Sequence, residues 1–280
     1  MIHVLIPVFN RIELTKRCIQ SLRRQTIYSE ISILVVDDNS TDGTFEWLVT
    51  ECPDVKVLSG TGGLFWGGAI HYGVEYILKK GDLGDYILLA NNDVELSHNA
   101  VEILRDHIIL NKRKVIAGAL SVDQSDQLSI IKSGTVVKNW FLNITDHIFV
   151  GEKLQEVKKQ KAKPVDFLTA RCLLHPIEVF WQAGNYDAKS FIHYCGDDEF
   201  SMRVKKYGID THLVPSAIVY LHVGEDSRKN IIETLISVRS SSNIFNKLRL
   251  SFRVAPLGTK LSFFMIGLTK SIVIAVKNAF

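Results

Sequence analysis

What the chain lacks narrows its chemistry first. Its 4 cysteines, Cys18, Cys52, Cys172 and Cys195, lie scattered through 280 residues with no CxxC pair. That argues against a zinc site or a disulfide framework and for free thiols in a reducing compartment. No GxGxxG follows the first apolar run, which leads instead to "PVFNRIE", and no P-loop is present. The dinucleotide fingerprint and the Walker phosphate cradle are therefore missing. No internal repeat or low-complexity stretch is visible. A net charge of +3 is too weak to imply nucleic acid. The opening "MIHVLIPVFN" has no basic start and turns polar after a strand's length, so no signal peptide is expected there. Acidic residues are missing after Arg239, where Lys247, Arg249, Arg253, Lys260, Lys270 and Lys277 meet no partner in the rest of the chain. The positive excess thus sits at the C-terminus.

What is present is an ordinary globular composition, 46% hydrophobic and 22% charged, enough for a full core. "HVLIPVF" is short, apolar and β-branched, a strand. "RIELTKRCIQSLRRQ" has the spacing of a helix, "ISILVVDD" is a second strand, and "STDGTFEWLV" is a helix start whose first amides Ser40 or Thr41 can receive. "VKVL" and "YILLANN" are further strands, with the helix "WGGAIHYGVEYILKK" between them, ended by Gly81. "HNAVEILRDHII" and "KVIAGAL" follow as helix and strand. This βαβα order predicts an α/β fold with a mostly parallel sheet and helices on both faces. Ligands of such sheets collect beyond the carboxyl ends of the strands. Residues from about Ser121 to Lys163, with the charged run "GEKLQEVKKQKAK", are expected to be surface structure or a mobile loop. From Arg228 on, two helices are expected.

Three strand ends are polar: Asn10-Arg11, Asp37-Asp38-Asn39 and Asn91-Asn92-Asp93. Polar groups closing a core strand are expensive to bury unless something binds them. In "VVDDNSTDGT", Asp38 or Ser40 can cap a helix, or an Asp can accept from a nucleobase ring N–H. The glycines of "SGTGGLFWGGAIHYG" allow a backbone to approach a ligand closely.

"PVFNR", "VVDDNSTDGT" and a strand ending "NND", in this order, resemble the nucleotide-binding half of glycosyltransferase family two, the inverting enzymes of the GT-A fold. The resemblance covers roughly Ile2 to Ser227. It implies a GT-A domain over 1–227, with a nucleotide-binding half at 1–120, an acceptor-binding half at 121–227, and a C-terminal helical segment at 228–280. It implies donor contacts from Pro7, Asn10 and Arg11, with Asp38 holding uracil or thymine and Asp37 as second candidate. Gly63 and Trp66 would lie along the diphosphate and donor sugar, with Asn91, Asn92 and Arg171 nearby. The family's DxD-like motif holds a divalent cation; here Asn91 stands where the first Asp often does, and Asp93 becomes the expected ligand of Mn2+ or Mg2+. His222 would complete the metal site, with His212, His193 and His175 as weaker candidates. "HYCGDDEFSMRVKKYG" resembles the family's acceptor segment. It implies Asp197 as the general base, or Asp198 if the register slips by one, with Gly196 replacing the usual Glu. Tyr194 and Trp181, with Asp198, would frame the acceptor.

The implied activity is transfer of a sugar from a UDP- or dTDP-sugar to a hydroxyl of a lipid-linked glycan in bacterial surface-polysaccharide synthesis. The C-terminal run Leu261 to Val276 is shorter than the ~20 residues of a spanning helix. It reads as an amphipathic helix, lying on an anionic membrane surface at the inner face or packed on the catalytic domain or a partner chain. Two rival classes remain: a sugar-phosphate nucleotidyltransferase, which lacks its glycine-rich opening here, and a non-catalytic nucleotide-sugar-binding subunit, which Asn91 and Gly196 keep in play.

Overall fold

The computed structural model describes residues 1–223 and 230–279. The boundary expected between residues 227 and 228 lies outside the described residues. The first half alternates as the sequence predicts: β1 (Ile2–Val8), α1 (Ile12–Arg23), β2 (Ile31–Asp37), α2 (Thr44–Glu51), β3 (Val55–Ser59), α3 (Phe65–Leu78), β4 (Tyr86–Ala90), β5 (Val94–Leu96), α4 (Ala100–Leu110) and β6 (Val115–Asp123). Then come β7 (Gly134–Asn139), β8 (Ile144–His147), α5 (Leu154–Val157), β9 (Lys163–Pro164), β10 (Phe167–Leu168), β11 (Cys172–Pro176), α6 (Glu178–Ala183), α7 (Gly196–Lys205) and β12 (Asp210–Leu221). Three helices follow, α8 (Ile231–Ile236), α9 (Ile244–Val254) and α10 (Lys260–Ala279), where two were expected.

The main sheet runs β3-β2-β1-β4-β11-β6-β12-β5, with β9 paired to β12. Pairs β1/β2, β2/β3, β1/β4 and β6/β12 are parallel, and β11 is inserted antiparallel between β4 and β6. The strands are buried on both faces. Val4, Ile6, Val35 and Leu88 pack beneath α1 and α4, while Leu5, Leu34, Ile87 and Leu89 pack beneath α3 and α7. Alternate residues thus serve opposite cores, as expected for strands covered by helices on both sides.

The register defines the functional edge. Val8 pairs with Asp37 and Asp37 with Ser59. Cys172 pairs with Ala90, so an antiparallel neighbour begins where the parallel strand ends. The β1/β4 ladder stops at Leu5–Leu89. Pro7, which cannot donate to a ladder, therefore sits where the β4 side of β1 is already unpaired. The sheet opens at that switch point, where crevices of doubly wound sheets form.

The stretch expected to be surface structure or a mobile loop is ordered. β7 and β8 form an antiparallel hairpin joined by β10 into a small second sheet. Its turn receives α10: Trp140 lies 5.2 Å from Phe263, Asn143 donates to the Phe263 carbonyl at 2.9 Å, and Lys270 donates to the Asn143 carbonyl at 2.5 Å. α9 docks through Leu250 onto Phe191 and Cys195. Arg253 pairs with Asp187 at 2.5 Å, so a cation without a sequence partner finds one in space.

α3 lies close on β1 because Gly73 has no side chain. A Cβ there would stand 2.2 Å from Leu5 Cδ1, inside the buried core. Gly73→Ala is expected to lose about 1–3 kcal/mol of stability to overpacking, measured by urea unfolding. Gly258→Ala, whose Cβ would meet nothing within 4 Å, should stay within about 0.5 kcal/mol of the parent.

Candidate active site

The exits of β1 and β2 are stitched together. Asn10 and Arg11 adopt left-handed φ values of 58° and 65°. This directs the Asn10 N–H to Ser40 Oγ at 2.7 Å, and lets Asn10 Oδ1 accept from the Thr41 N–H at 2.8 Å. Ser40 in turn donates to Asp37. The expected cap of α2 is therefore corrected. Ser40 and Thr41 serve the β1 turn, and Asp42 receives the Thr44 N–H at 3.2 Å and the Ile12 N–H at 3.0 Å.

Asp38 is 5% exposed. Its Oδ1 accepts from the Gly62 N–H at 2.8 Å, and its Oδ2 from Leu64 and Phe65 N–H at 2.9 and 3.0 Å. It satisfies the first free amides of α3 and anchors the glycine-rich loop. The carboxylate expected to face a nucleobase is turned into that loop instead. Gly63 stands open, with nothing within 4 Å of where a Cβ would be.

At the β4 exit the polar residues diverge. Trp66 Nε1 donates to Asn91 Oδ1 at 3.0 Å, and the Asn91 N–H reaches the Arg171 carbonyl at 3.1 Å. Asn92 is buried and donates to Thr15 on α1 at 3.1 Å. Asn92, expected beside the donor, here fastens α1 to the strand end. Asp93 faces the cleft. Arg11 Nη1 lies 3.5 Å from Asp93 Oδ2, while Asp93 Oδ1 is buried with no hydrogen-bond partner among the described residues. Burial raises the Asp93 pKa, against the pull of Arg11 and Arg171.

Arg171 precedes β11 and so emerges beside Asn91. Its Nη1 donates to the Lys132 carbonyl at 2.7 Å. Burial lowers its pKa, while Asp93, Asp197 and Tyr194 act in the other direction. The neighbouring Ala170 N–H reaches Asp197 Oδ2 at 3.3 Å, and the Asp198 N–H reaches Asp197 Oδ1 at 3.0 Å. Asp197 and Asp198 lie in the first turn of α7. Burial pushes the Asp197 pKa up to about 6, and the charge of Asp198 adds to the rise. The charges of Asp93 and Asp197 both act on Arg171, and the backbone of residues 170 and 171 links their surroundings: the Ala170 N–H meets Asp197 and the Arg171 carbonyl meets the Asn91 N–H. Tyr194 stands by, packed edge-on to His193 at 4.6 Å.

Other expected residues have partners of their own. His222 Nε2 pairs with Glu95 Oε1 at 2.7 Å, and its backbone N–H donates to the Asp93 carbonyl at 2.9 Å. Its charge also acts on Asp93, so the imidazole lies beside the expected ligand with Glu95 as its hydrogen-bond partner. His175 is a core residue, donating through Nδ1 to the Ile87 carbonyl at 3.1 Å, with its pKa pushed down to about 4 by burial. His212 pairs with His107 at 2.9 Å. Trp181 lies on α6, which starts at the opposite end of the strands, where β4 begins. Pro176 pairs with Tyr86, and Glu178 with Arg113 at 2.7 Å. That separates Trp181 from the cleft.

Sequence reasoning missed Glu95 and Lys132. Glu95 stands two positions from Asp93 at a strand, a spacing that places both on one face, and was legible in "NDVEL". Lys132, whose charge opposes the rise of the Asp197 pKa, carried no local signal.

Among the described residues no group of three or more His, Cys, Asp or Glu could hold a metal ion. The lone buried oxygen of Asp93 nevertheless fits a hard divalent cation. Such ions take one or two protein carboxylates and draw the rest of their shell from phosphates and water.

A model of glycosyl transferase family 2 matches residues 3–168. The chain is 27% identical over 232 residues to N-acetylglucosaminyl-diphospho-decaprenol L-rhamnosyltransferase of Mycobacterium tuberculosis, spanning 77% of this chain and 74% of that one. It is 28% identical over 156 residues to undecaprenyl-phosphate mannosyltransferase of Micrococcus luteus, 55% of this chain and 61% of that one. Among solved structures it resembles GalNAc-T7, crystallised with UDP, GalNAc and Mn2+, with a TM-score of 0.63 and 16% identity over 99% of this chain and 56% of that one. That likeness shows the GT-A fold. With the family model spanning more than half its length, the chain belongs to glycosyl transferase family 2 and is a glycosyltransferase.

Proposed function

We propose that the enzyme moves a sugar, with inversion, from a UDP- or dTDP-sugar to a hydroxyl of a lipid-linked glycan in bacterial surface-polysaccharide synthesis. The observation that carries this reading is the strand-exit cluster: Asp93 lies 3.5 Å from Arg11 and keeps one buried oxygen without a partner among the described residues, and Asp197 is held by the Ala170 N–H, one residue before Arg171. The relatives named for decaprenol- and undecaprenyl-linked chemistry support a lipid-linked acceptor. The neighbour crystallised with UDP and Mn2+ supports the donor class and a divalent cation.

In this reading Asp93 holds Mn2+ or Mg2+ through its unpartnered oxygen. When bound, the ion supplies positive charge against the leaving diphosphate. Arg11 and Arg171 orient the donor and share that work, since fixed cations aimed at developing charge need no reorganisation. Asn91, held by Trp66, shapes the wall beside the donor sugar, and Pro7, Asn10 and Gly63 line the nucleotide side. Asp197 takes the proton of the acceptor hydroxyl as that oxygen attacks the anomeric carbon. A base with a pKa near 6 is better matched to a hydroxyl proton than an ordinary carboxylate and remains ionised at pH 7. Tyr194 and Asp198 lie toward the acceptor.

The basic test is diphosphate release from a panel of sugar nucleotides, with and without Mn2+ or Mg2+. The proposal fails if no UDP- or dTDP-sugar is turned over in the presence of a lipid-linked acceptor. Asp93→Ala is expected to abolish the cation-dependent rate while leaving the melting profile near that of the parent. Asp197→Asn is expected to lower kcat by about 10²–10⁴-fold while nucleotide binding survives. In the parent, kcat/KM should fall as pH drops through about 6, where Asp197 gains its proton.

The same residue gives a stability test. Its folded pKa lies above the ordinary 3.8, so the folded chain holds the extra proton and loses stability as pH rises through about 6. Asp197→Asn should therefore be more stable than the parent at pH 8, by about 3 kcal/mol at most. Equal melts at pH 8 would contradict the buried charge.

The C-terminal helices support work at the inner face of the cytoplasmic membrane. The apolar helix Leu257–Lys277, 21 residues of mean hydropathy 1.5, is long enough to cross a membrane by length and composition, longer than the sequence run implied. Its ties to Trp140 and Asn143 favour a helix lying on the surface. Leu257, Leu261, Met265, Ile272 and Ile274 are exposed. Binding to vesicles containing anionic lipid is expected, and Leu261→Glu with Met265→Glu should release the protein into the supernatant.

A further inference from the structure

We propose that Arg239 is a donor-binding residue whose guanidinium takes the diphosphate of the nucleotide. This rests on the donor reading above. Arg239 lies in the turn between α8 and α9, far along the chain from every residue considered so far at the cleft. Its guanidinium stands 5.9 Å from the ring centre of Phe9 and 5.4 Å from that of Phe65. Phe9 is the first residue beyond β1 and leads into Asn10 and Arg11. Phe65 opens α3 with a left-handed φ of 52°, and its N–H is held by Asp38. One side chain from the C-terminal segment therefore bridges the two strand-exit loops that border the crevice.

The turn that presents Arg239 is fixed. The Arg239 N–H donates to Ser237 Oγ at 3.2 Å, and Ser240 Oγ donates to the Thr234 carbonyl at 2.5 Å. Asn243 Nδ2 donates to the Ile236 and Ser237 carbonyls at 2.8 and 3.1 Å. Ser240, Ser242 and Asn243 are buried although the segment lies at the surface. A turn with its polar groups so bound loses little entropy when its arginine meets a ligand.

The chemistry of the ligand follows from the charges. A guanidinium within cation–π range of two rings is held at the mouth of both loops, and its planar N–H fork suits bidentate contact with phosphate. Arg11, two residues beyond Phe9, and Arg171 are the other arginines of the cleft, and Arg239 makes a third. Three cations around one crevice suit a ligand with more than one negative charge. A nucleoside diphosphate carries that charge; a nucleoside does not.

The test compares UDP and dTDP with uridine and thymidine on the full-length protein in Mg2+, by calorimetry for the nucleotides and ligand-observed NMR for the nucleosides. Arg239→Ala is expected to weaken UDP or dTDP binding roughly ten-fold or more, with nucleoside binding and the melting temperature close to those of the parent. Arg239→Gln, which keeps a flat polar head without charge, should lose as much, and Arg239→Lys should retain part of the nucleotide affinity. A merely structural role would lower nucleotide and nucleoside binding together, and that result overturns the proposal. So does unchanged nucleotide binding in Arg239→Ala. If the parent itself binds neither UDP nor dTDP, the donor reading falls with it, a failure separable from a loss confined to Arg239.

Discussion

The meeting of two partly desolvated carboxylates with residues 170–171 is the constraint on which the cleft depends. Asp93 and Asp197 both have pKa values raised by burial, and both charges act on Arg171. Arg11 also faces Asp93, and Lys132 also opposes the rise at Asp197, so the compensation that such anions need is shared among several cations. Backbone topology makes the arrangement possible. β11 runs antiparallel to β4, so its first residue, Cys172, faces the last residue of β4, Ala90. Arg171 is thereby delivered to the strand exit that carries Asn91 and Asp93. The Ala170 N–H, one step earlier, reaches Asp197 at the start of α7. A parallel strand at that position would have entered from the opposite edge.

Trp66 connects the two departures from the family pattern. Its indole N–H is satisfied by Asn91 Oδ1; an ionised Asp there would accept the same proton but would add a third negative charge to the cleft. Trp66 also occupies the space beside position 196. A Cβ at Gly196 would lie 3.5 Å from Trp66 Cζ3 and 3.6 Å from Phe191 Cβ. A longer acidic side chain at 196 would have to pass this ring. The indole thus touches both positions, by a hydrogen bond at 91 and by proximity at 196. Its other face rests on Tyr186, at 5.8 Å, whose ring stacks on Phe200 at 4.2 Å in the core of α7.

The alternating first half was legible because its apolar periods change cleanly from strand to helix, and its polar strand ends mark the crevice. Side-chain direction was not legible. Asn91, Asn92 and Asp93 are adjacent in sequence, yet one meets an indole, one fastens α1 and one faces the cleft, because alternate residues at a strand end point to opposite sides. Asp38 carried the right residue type for two tasks, and the amides of Gly62, Leu64 and Phe65 decided between them in this state of the chain. His222 followed a buried strand as a ligand would. Glu95, on the adjacent β5, claimed its ring, a pairing set by the β12/β5 register that links Leu221 with Val94. Short strands and turns were legible between Ser121 and Lys163, but the pairing of β7 with β8 was not, because its strands are short and half exposed.

The C-terminal cations show how a sequence-level imbalance changes meaning in space. Arg253 pairs with Asp187 and approaches Glu199 at 3.9 Å, Arg249 donates to the Ser190 carbonyl at 3.2 Å, and Lys270 holds Asn143. Arg249 and Arg253 brace α9 against the loop that leads into α7, and Lys270 ties α10 to the β7–β8 turn. They are engaged in internal work, so membrane attraction by charge alone loses part of its basis. The exposed apolar row of α10 then becomes the stronger argument for a lipid surface, since burying it yields about 25 cal/mol per Å² whatever the headgroup charge. The same bracing ties the turn bearing Arg239 to the segment bearing Asp197 through α9. A segment that appears as an appendage in composition is joined mechanically to both ends of the cleft.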